Sequence, residues 1–363
     1  MPAAPDPGAD PAQDTFTEYA YFSSYSDSWV QHARDYVDST VQRLGLGPSS
    51  LVVEVASNDG YLLQHVVGAG IPCLGIEPSR NVAEAARARS VPTRVDFLTD
   101  EVAADVRANH GPASLVVANN VYAHIPDLLG FTRALRTLVA DDGWLSIEVH
   151  HALNLVADAQ FDTIYHEHFQ YYTVLSAQRA LATAGLVLVD VELLPTHGGS
   201  LRLWAQPREA ATEVRPSVAA ALAQEREAGL HDVAGYLQLA ERVSVIRHDL
   251  LTYLMECART GISVAGYGAP GKGNTLLNYC GIRPDLLPYT VDRNPYKHGR
   301  FTPGNRIPVL PPDCLETRRP QVILVLPWNL RDEIDKQLAW TAEWGAKLVY
   351  PLPQLSVTPA GMR

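Results

Sequence analysis

Cysteine is scarce in this chain. Its 363 residues hold four, Cys73, Cys257, Cys280 and Cys314, and no two stand as Cys-x-x-Cys. That spacing supports neither a disulfide framework nor structural zinc, and it fits buried thiols in a reduced, cytoplasmic protein. Positive charge is short as well: 29 Lys and Arg against 40 Asp and Glu leave a formal charge of -11 with no basic patch. Nucleic acid and acidic membrane surfaces are therefore excluded as main partners. No run of about 18 apolar residues occurs, and the amino terminus lacks the basic-then-apolar layout of a secretory signal. What remains is a composition with 47% hydrophobic and 19% charged residues, long enough for two ordinary domains.

Residues 1–15, rich in Pro, Ala and Asp, read as a disordered tail. Tyr19, Tyr21, Tyr25 and Trp29 then crowd among serines, as either a surface loop or an aromatic lid over a small-molecule site. Helical apolar spacing runs from Val30 to Leu44 and stops at Gly45 and Gly47. The apolar run Leu51–Val55 has the pattern of a buried parallel strand. It opens through Ala56-Ser57-Asn58-Asp59-Gly60 into a helix expected from Tyr61. A strand, a small-residue turn and a helix amino terminus make a nucleotide-type cradle. Alanine at position 56 suits such a turn only if its φ stays negative. The next strand ends in Glu77, 23 residues after Glu54, where a carboxylate can accept hydrogen bonds from both ribose hydroxyls of a nucleoside. A further strand, Leu115–Ala118, runs into Asn119, and another, Gly143–Glu148, follows a helix.

The densest concentration of chemistry is Phe161–Tyr172, FDTIYHEHFQYY, with two imidazoles, two carboxylates and three phenols. On an extended segment His166 and His168 would share one face, with Glu167 on the other. Neutral imidazole beside carboxylates and phenols can take a proton near pH 7. His-x-His could also supply two metal ligands, or be a polar strand end with satisfied histidines. Later in the chain, Ile262–Ala265 enters Gly266-Tyr-Gly-Ala-Pro-Gly-Lys-Gly-Asn274, a complete G-x-G-x-x-G between strand and helix, and Asp292 ends the next strand. Alone, this motif indicates an NAD-dependent oxidoreductase or a glycine-rich turn that packs helix on strand. Gly273 occupies the place of the magnesium-binding Ser or Thr of a P-loop, which excludes nucleoside-triphosphate hydrolysis.

The βαβα series before residue 150, acidic at the ends of its first two strands, resembles the S-adenosylmethionine-dependent methyltransferase fold. The ordered string EVASNDGYLL, GIEPSRNVA, NNVYAHIPD, YHEHFQYY, HGGSLR, GYGAPGKGNTLLNYCG, VDRNPYKHGR and LPWNLRDEI sharpens the match. From about Tyr19 onward the chain resembles the C-methyltransferases that act on nucleotide-linked deoxy-keto sugars in antibiotic biosynthesis.

That resemblance implies an α/β protein: a Rossmann-like methyltransferase domain at 16–208, a helical linker at 209–260 and a second Rossmann-like, substrate-binding domain at 261–363. It implies S-adenosylmethionine as cofactor, held by Glu54, Ser57, Asn58 and Gly60, by Glu77 and Pro78 at the ribose, by Asp96 and Phe97 near the adenine, and by Asn119 at the methionine part. His168 becomes the general base, with Tyr165 and Glu167 beside it, His124 after the fourth strand, and Tyr19 or Tyr21 from the amino-terminal segment. Ser200, Lys272 and Asn274 become substrate contacts. No metal is expected, because deprotonating a carbon next to a keto group needs a base and a hydrogen-bond donor for the enolate oxygen. Members of the family usually begin with a cysteine-rich zinc-binding domain that this sequence does not contain, so a separate chain supplying it is one expectation. N- or O-methyl transfer and a nonenzymatic nucleotide-binding module are the remaining alternatives.

Overall fold

The computed structural model describes residues 22–361, so the expected tail and the candidates Tyr19 and Tyr21 lie outside the described residues. Two compact units interleave along the chain. Residues up to Val149, Val174–Leu193 and Leu201–Leu222 form one; His150–Thr173, Leu194–Ser200 and Ala223 onward form the other.

The first unit is built on β1 (Val52–Val55), β2 (Cys73–Ile76), β3 (Thr93–Arg94), β4 (Ala113–Asn119), β5 (Val139–His150), β6 (Leu186–Leu194) and β7 (Ser200–Pro207). All four residues of β1 are buried, which is why the run is apolar without alternation. It pairs in parallel with β2 on one side and β4 on the other. The order β3-β2-β1-β4-β5-β7-β6 is a doubly wound arrangement with a seventh strand inserted between the fifth and sixth. The connections reverse direction between β1 and β4, so the crevice at their carboxyl ends is where such a sheet receives a ligand. The first helix, Asp27–Leu44, begins three residues before the expected Val30 because Ser26 caps it, its Oγ accepting from the Trp29 N–H at 3.4 Å. Its buried face, Ala33, Tyr36, Val37 and Thr40, packs toward β1 and the Tyr61–Leu63 stretch.

The second unit carries β8 (Val264–Tyr267), β9 (Thr290–Val291), β10 (Val309–Leu310), β11 (Val322–Val325), β12 (Lys347–Tyr350) and β13 (Ser356–Pro359). Counted from β8 as first, the order β10-β9-β8-β11-β12-β13 is 3-2-1-4-5-6, that of a dinucleotide-binding sheet, with β13 antiparallel at the edge. Within the expected linker, helix Ala234–Thr260 places Val243, Ile246, Leu250, Leu254 and Cys257 in this unit's core. Residues 150–173 also belong to this unit rather than to the one whose sheet precedes them in sequence. Ala159 and Phe161 join the same core, and the Phe161 ring lies 5.0 Å from that of Tyr279. Among the described residues all four cysteines are free, and no helix is long and apolar enough to cross a membrane.

Candidate functional site

In the first unit the chain leaves β1 through a turn with three positive φ values, Ala56 at 56°, Asn58 at 50° and Gly60 at 76°. The condition set for alanine is not met. Ala56 adopts the left-handed conformation because its N–H donates to Ile76 O at 2.7 Å, which fixes the turn against the end of β2. This geometry aims the Asn58 N–H at Glu77 Oε2 (2.9 Å), while Glu77 Oε1 accepts from the Ser79 N–H at 2.9 Å. Glu54, Asp59 and Glu77 are each at most 4% exposed. Burial, then the charges of Glu77 and Asp59, push the Glu54 carboxyl well above its ordinary range, and burial also raises Glu77 against the pull of its backbone hydrogen bonds. Glu54 Oε2, Ser57 Oγ and Asn119 Oδ1 are buried without a protein partner. A buried acceptor left unpaired costs about 1–3 kcal/mol, so these atoms mark a place for a donor-bearing ligand.

This carboxyl-rich cradle at the ends of β1, β2 and β4, with Asp59 paired to Arg89 at 2.9 Å, fits S-adenosylmethionine, whose sulfonium, ammonium and ribose hydroxyls are cationic or donating. Pro78 follows Glu77 at the mouth. Phe97 is 38% exposed, as a ring platform must be. Asp96 is engaged by Arg94 at 3.1 Å, so its carboxylate is partly committed to the protein. His124 ends a short 3-10 turn after β4, its N–H donating to Val121 O at 2.8 Å, and belongs to this unit.

His168 belongs to the other unit. The HEH segment is not a strand: the His168 N–H donates to Tyr165 O at 2.9 Å, closing a turn that separates the two histidines. His166 points outward, its side chain 81% exposed, whereas His168 is half-buried. His168 Nδ1 lies 2.8 Å from the Thr163 carbonyl, which can only accept, so Nδ1 carries the proton and Nε2 presents a lone pair. Burial pushes the His168 pKa down to about 4 against the raising effect of that hydrogen bond, with the Lys272 charge lowering it further. The Tyr165 ring sits 4.2 Å from the imidazole, and the other face of Tyr165 lies over Gly271. Glu167 is raised by burial and offset by its neighbour His166.

The glycine-rich loop of this unit is turned to packing. Gly268 has φ of 85°, and a Cβ there would meet Pro327 at 2.6 Å; at Gly273 it would meet Leu326 at 2.9 Å. The Asp292 carboxylate, which a dinucleotide's ribose would need, accepts from the Ala269 N–H at 2.7 Å and from Lys297 Nζ at 3.1 Å. These contacts argue against the oxidoreductase alternative. Lys272 does not reach out from the loop: it is 9% exposed, donates to the His197 carbonyl at 3.1 Å and lies 5.4 Å from the Trp328 ring. Ser200 is 1% exposed, with its hydroxyl donated to Thr196 O at 3.1 Å. Of the three expected substrate contacts, Asn274 alone keeps an unpartnered acceptor, Oδ1.

Four residues of this constellation went unassigned in the sequence. The His150 ring lies 5.8 Å from His168 and 5.4 Å from His197, and Asp162 accepts a 2.6 Å hydrogen bond from Trp328 Nε1. Asp162 and Trp328 stand in the quoted strings FDTIYHEH and LPWNLRDEI, but nothing in their spacing signals that they meet across 166 residues. Among the described residues no group of three or more His, Cys, Asp or Glu is arranged to hold a metal ion.

Residues 29–191 match a family described as a methyltransferase domain, and residues 195–353 one described as a C-methyltransferase C-terminal domain. C-methyltransferase NovU of Streptomyces niveus is 37% identical over 345 residues, covering 95% of this chain and 82% of that protein. Among solved structures, magnesium protoporphyrin IX methyltransferase of Synechocystis PCC 6803 with bound SAH is 16% identical over 49% of this chain and 84% of its own, with a TM-score of 0.39. A possible histamine N-methyltransferase of Thermotoga maritima is 14% identical over 52% and 97%, with a TM-score of 0.38. Both structural likenesses are too distant to bear on chemistry. The relationship to NovU extends along nearly the whole sequence and through both units, and the chain belongs to the S-adenosylmethionine-dependent C-methyltransferase family.

Proposed function

We propose that this enzyme removes a proton from a carbon next to a keto group and methylates that carbon, on a nucleotide-linked deoxysugar of secondary metabolism. The observation that carries the reading is the His168 tautomer: with Nδ1–H bound to the Thr163 carbonyl, the ring offers its Nε2 lone pair to an acidic C–H. The low pKa keeps that lone pair unprotonated throughout the neutral range. Tyr165 packs against the ring and limits its rotation, Glu167 follows in the same turn, and His124 or a phenol supplies a hydrogen bond to the enolate oxygen. When bound, S-adenosylmethionine supplies an electrophilic sulfonium methyl. Glu54, Ser57, Asn58, Gly60, Glu77, Pro78, Asp96, Phe97 and Asn119 would hold it, Glu77 at the ribose hydroxyls and Asn119 with Glu54 toward the cationic methionine end. Ser200, Lys272 and Asn274 face the acceptor side, Asn274 as the direct contact, since Lys272 and Ser200 are buried. The nucleotide-sugar class rests on the motif resemblance.

The test is a product assignment. The protein is incubated with carbon-13 methyl-labelled S-adenosylmethionine and a panel of nucleotide-linked deoxy-keto sugars, and the products are read by carbon NMR. A labelled methyl on the carbon adjacent to the ketone supports the reading; a label on oxygen or nitrogen, or no label from any keto sugar, overturns it.

A further inference from the structure

In a sheet of order 3-2-1-4-5-6 the ligand crevice opens at the carboxyl ends of the two central strands, here β8 and β11. The second unit has filled that crevice with its own chain. Lys272 follows β8, Trp328 follows β11, and Asp162, from the short 3-10 turn Phe161–Thr163, sits with both. Asp162 is 0% exposed, its Oδ2 accepts from Trp328 Nε1 at 2.6 Å, and Oδ1 has no hydrogen-bond partner. Burial raises the Asp162 carboxyl and lowers Lys272, and each group's charge acts against the shift of the other. The residue after Asp162 is Thr163, whose carbonyl receives the His168 Nδ1–H.

We propose that Asp162 is a positioning residue for the base: anchored by Trp328, it fixes the Phe161–Thr163 turn and thereby the tautomer and orientation of His168. This rests on His168 being the base. A buried carboxylate is costly unless paired, so a purely apolar anchor would have been cheaper for packing alone. What the arrangement adds is direction: the indole N–H fixes the carboxylate, and the Lys272 ammonium, whose charge the carboxylate feels, caps the His197 carbonyl. The groups facing the His168 ring are Tyr165 and Tyr171 from its own segment, His150 from the end of β5, and Lys272 from helix Gly271–Cys280. His166 and Glu167 adjoin it in sequence. Of these, Lys272 is the cation whose charge opposes protonation of His168, and Asp162 is its counter-ion.

The test uses full-length protein labelled with nitrogen-15 histidine, the His168 signals being those lost in His168→Gln. The wild type is expected to show a single Nδ1–H tautomer. Trp328→Phe, which removes the anchoring donor, should give mixed tautomers and lower kcat by up to about 100-fold with KM and S-adenosylhomocysteine affinity unchanged. Asp162→Asn keeps the acceptor for Trp328 but leaves Lys272 uncompensated, so His168 should titrate at lower pH; Lys272→Met should move it to higher pH, by about one unit. Opposite movements are not expected of residues that only fill space. Should Trp328→Phe fail to fold, the isosteric Asp162→Asn and the Lys272→Met pair decide. An unchanged tautomer and titration point in the variants that fold would overturn the proposal. If the titration shifts appear but His168→Gln retains turnover, the base assignment fails while the positioning role stands.

Discussion

Protonation of His168 gives a stability prediction whose size follows from the structure. The folded protein holds this imidazole at about 4, against an ordinary value of 6.5, because burial disfavours the charged ring. The unfolded chain therefore binds a proton that the folded chain refuses between these two values. Stability from this group is fully present above pH 6.5, falls as the pH drops, and levels off below about 4. Integrating the linkage from pH 7 to pH 5 gives about 2 kcal/mol, an order-of-magnitude figure that is nevertheless large against a typical domain stability of about 5–15 kcal/mol. Glutamine at position 168 has no proton to take up. Urea unfolding at the two pH values should show the wild type losing about 2 kcal/mol more than His168→Gln. The same ionisation should place the acidic limb of kcat/KM below pH 5 and not near 6.5, with the limb of kcat higher, since a bound anionic acceptor would favour the protonated ring. Equal pH-dependent losses in the two proteins would refute the burial argument.

Three further outcomes follow from the two units. Glu77→Ala should weaken S-adenosylhomocysteine binding by about 1.5–3 kcal/mol, the range for hydrogen bonds to a charged group; unchanged affinity by calorimetry would remove Glu77 from the cofactor site. Ala56→Gly should stabilise the first unit by about 0.5–1 kcal/mol, because the observed φ of 56° is strained for alanine and free for glycine, and a lowered thermal midpoint would contradict this. Titration with NADH should give no saturable heat, since the Asp292 carboxylate is already engaged by Ala269 and Lys297; saturable binding would revive the oxidoreductase alternative.

Local elements of the fold were legible because their causes are local. The apolar run of β1, the acidic ends of β1 and β2 and the strand-to-helix glycines of β8 all appear where pattern and turn chemistry place them. What the sequence concealed depends on distant partners. Ala56 takes a left-handed φ because Ile76 O, twenty residues away, holds its N–H. The YHEHF segment reads as alternating, yet a hydrogen bond between His168 and Tyr165 folds it into a turn, so His166 and His168 do not share a face. Residues 150–173 follow β5 directly but belong to the second unit, an allegiance set by Phe161 packing on Tyr279 and by Asp162 reaching Trp328. Lys272 reads as a substrate contact because it stands in the loop motif; its burial, with Nζ on the His197 carbonyl, is a tertiary fact. The turn and carboxyl groups proposed for the cofactor were the more legible half, since they lie at or just after strand ends.

The central claim is that His168 abstracts a proton from the carbon to be methylated. The most direct measurement incubates the enzyme in deuterated water with a nucleotide-linked deoxy-keto sugar that it methylates, with S-adenosylhomocysteine in place of the methyl donor, and follows loss of the α-hydrogen by proton NMR. The account predicts exchange in the wild type and at least about 100-fold slower exchange in His168→Gln, whose cofactor affinity stays intact. Undiminished exchange in the variant, or no exchange in a wild type that methylates this sugar, would contradict it.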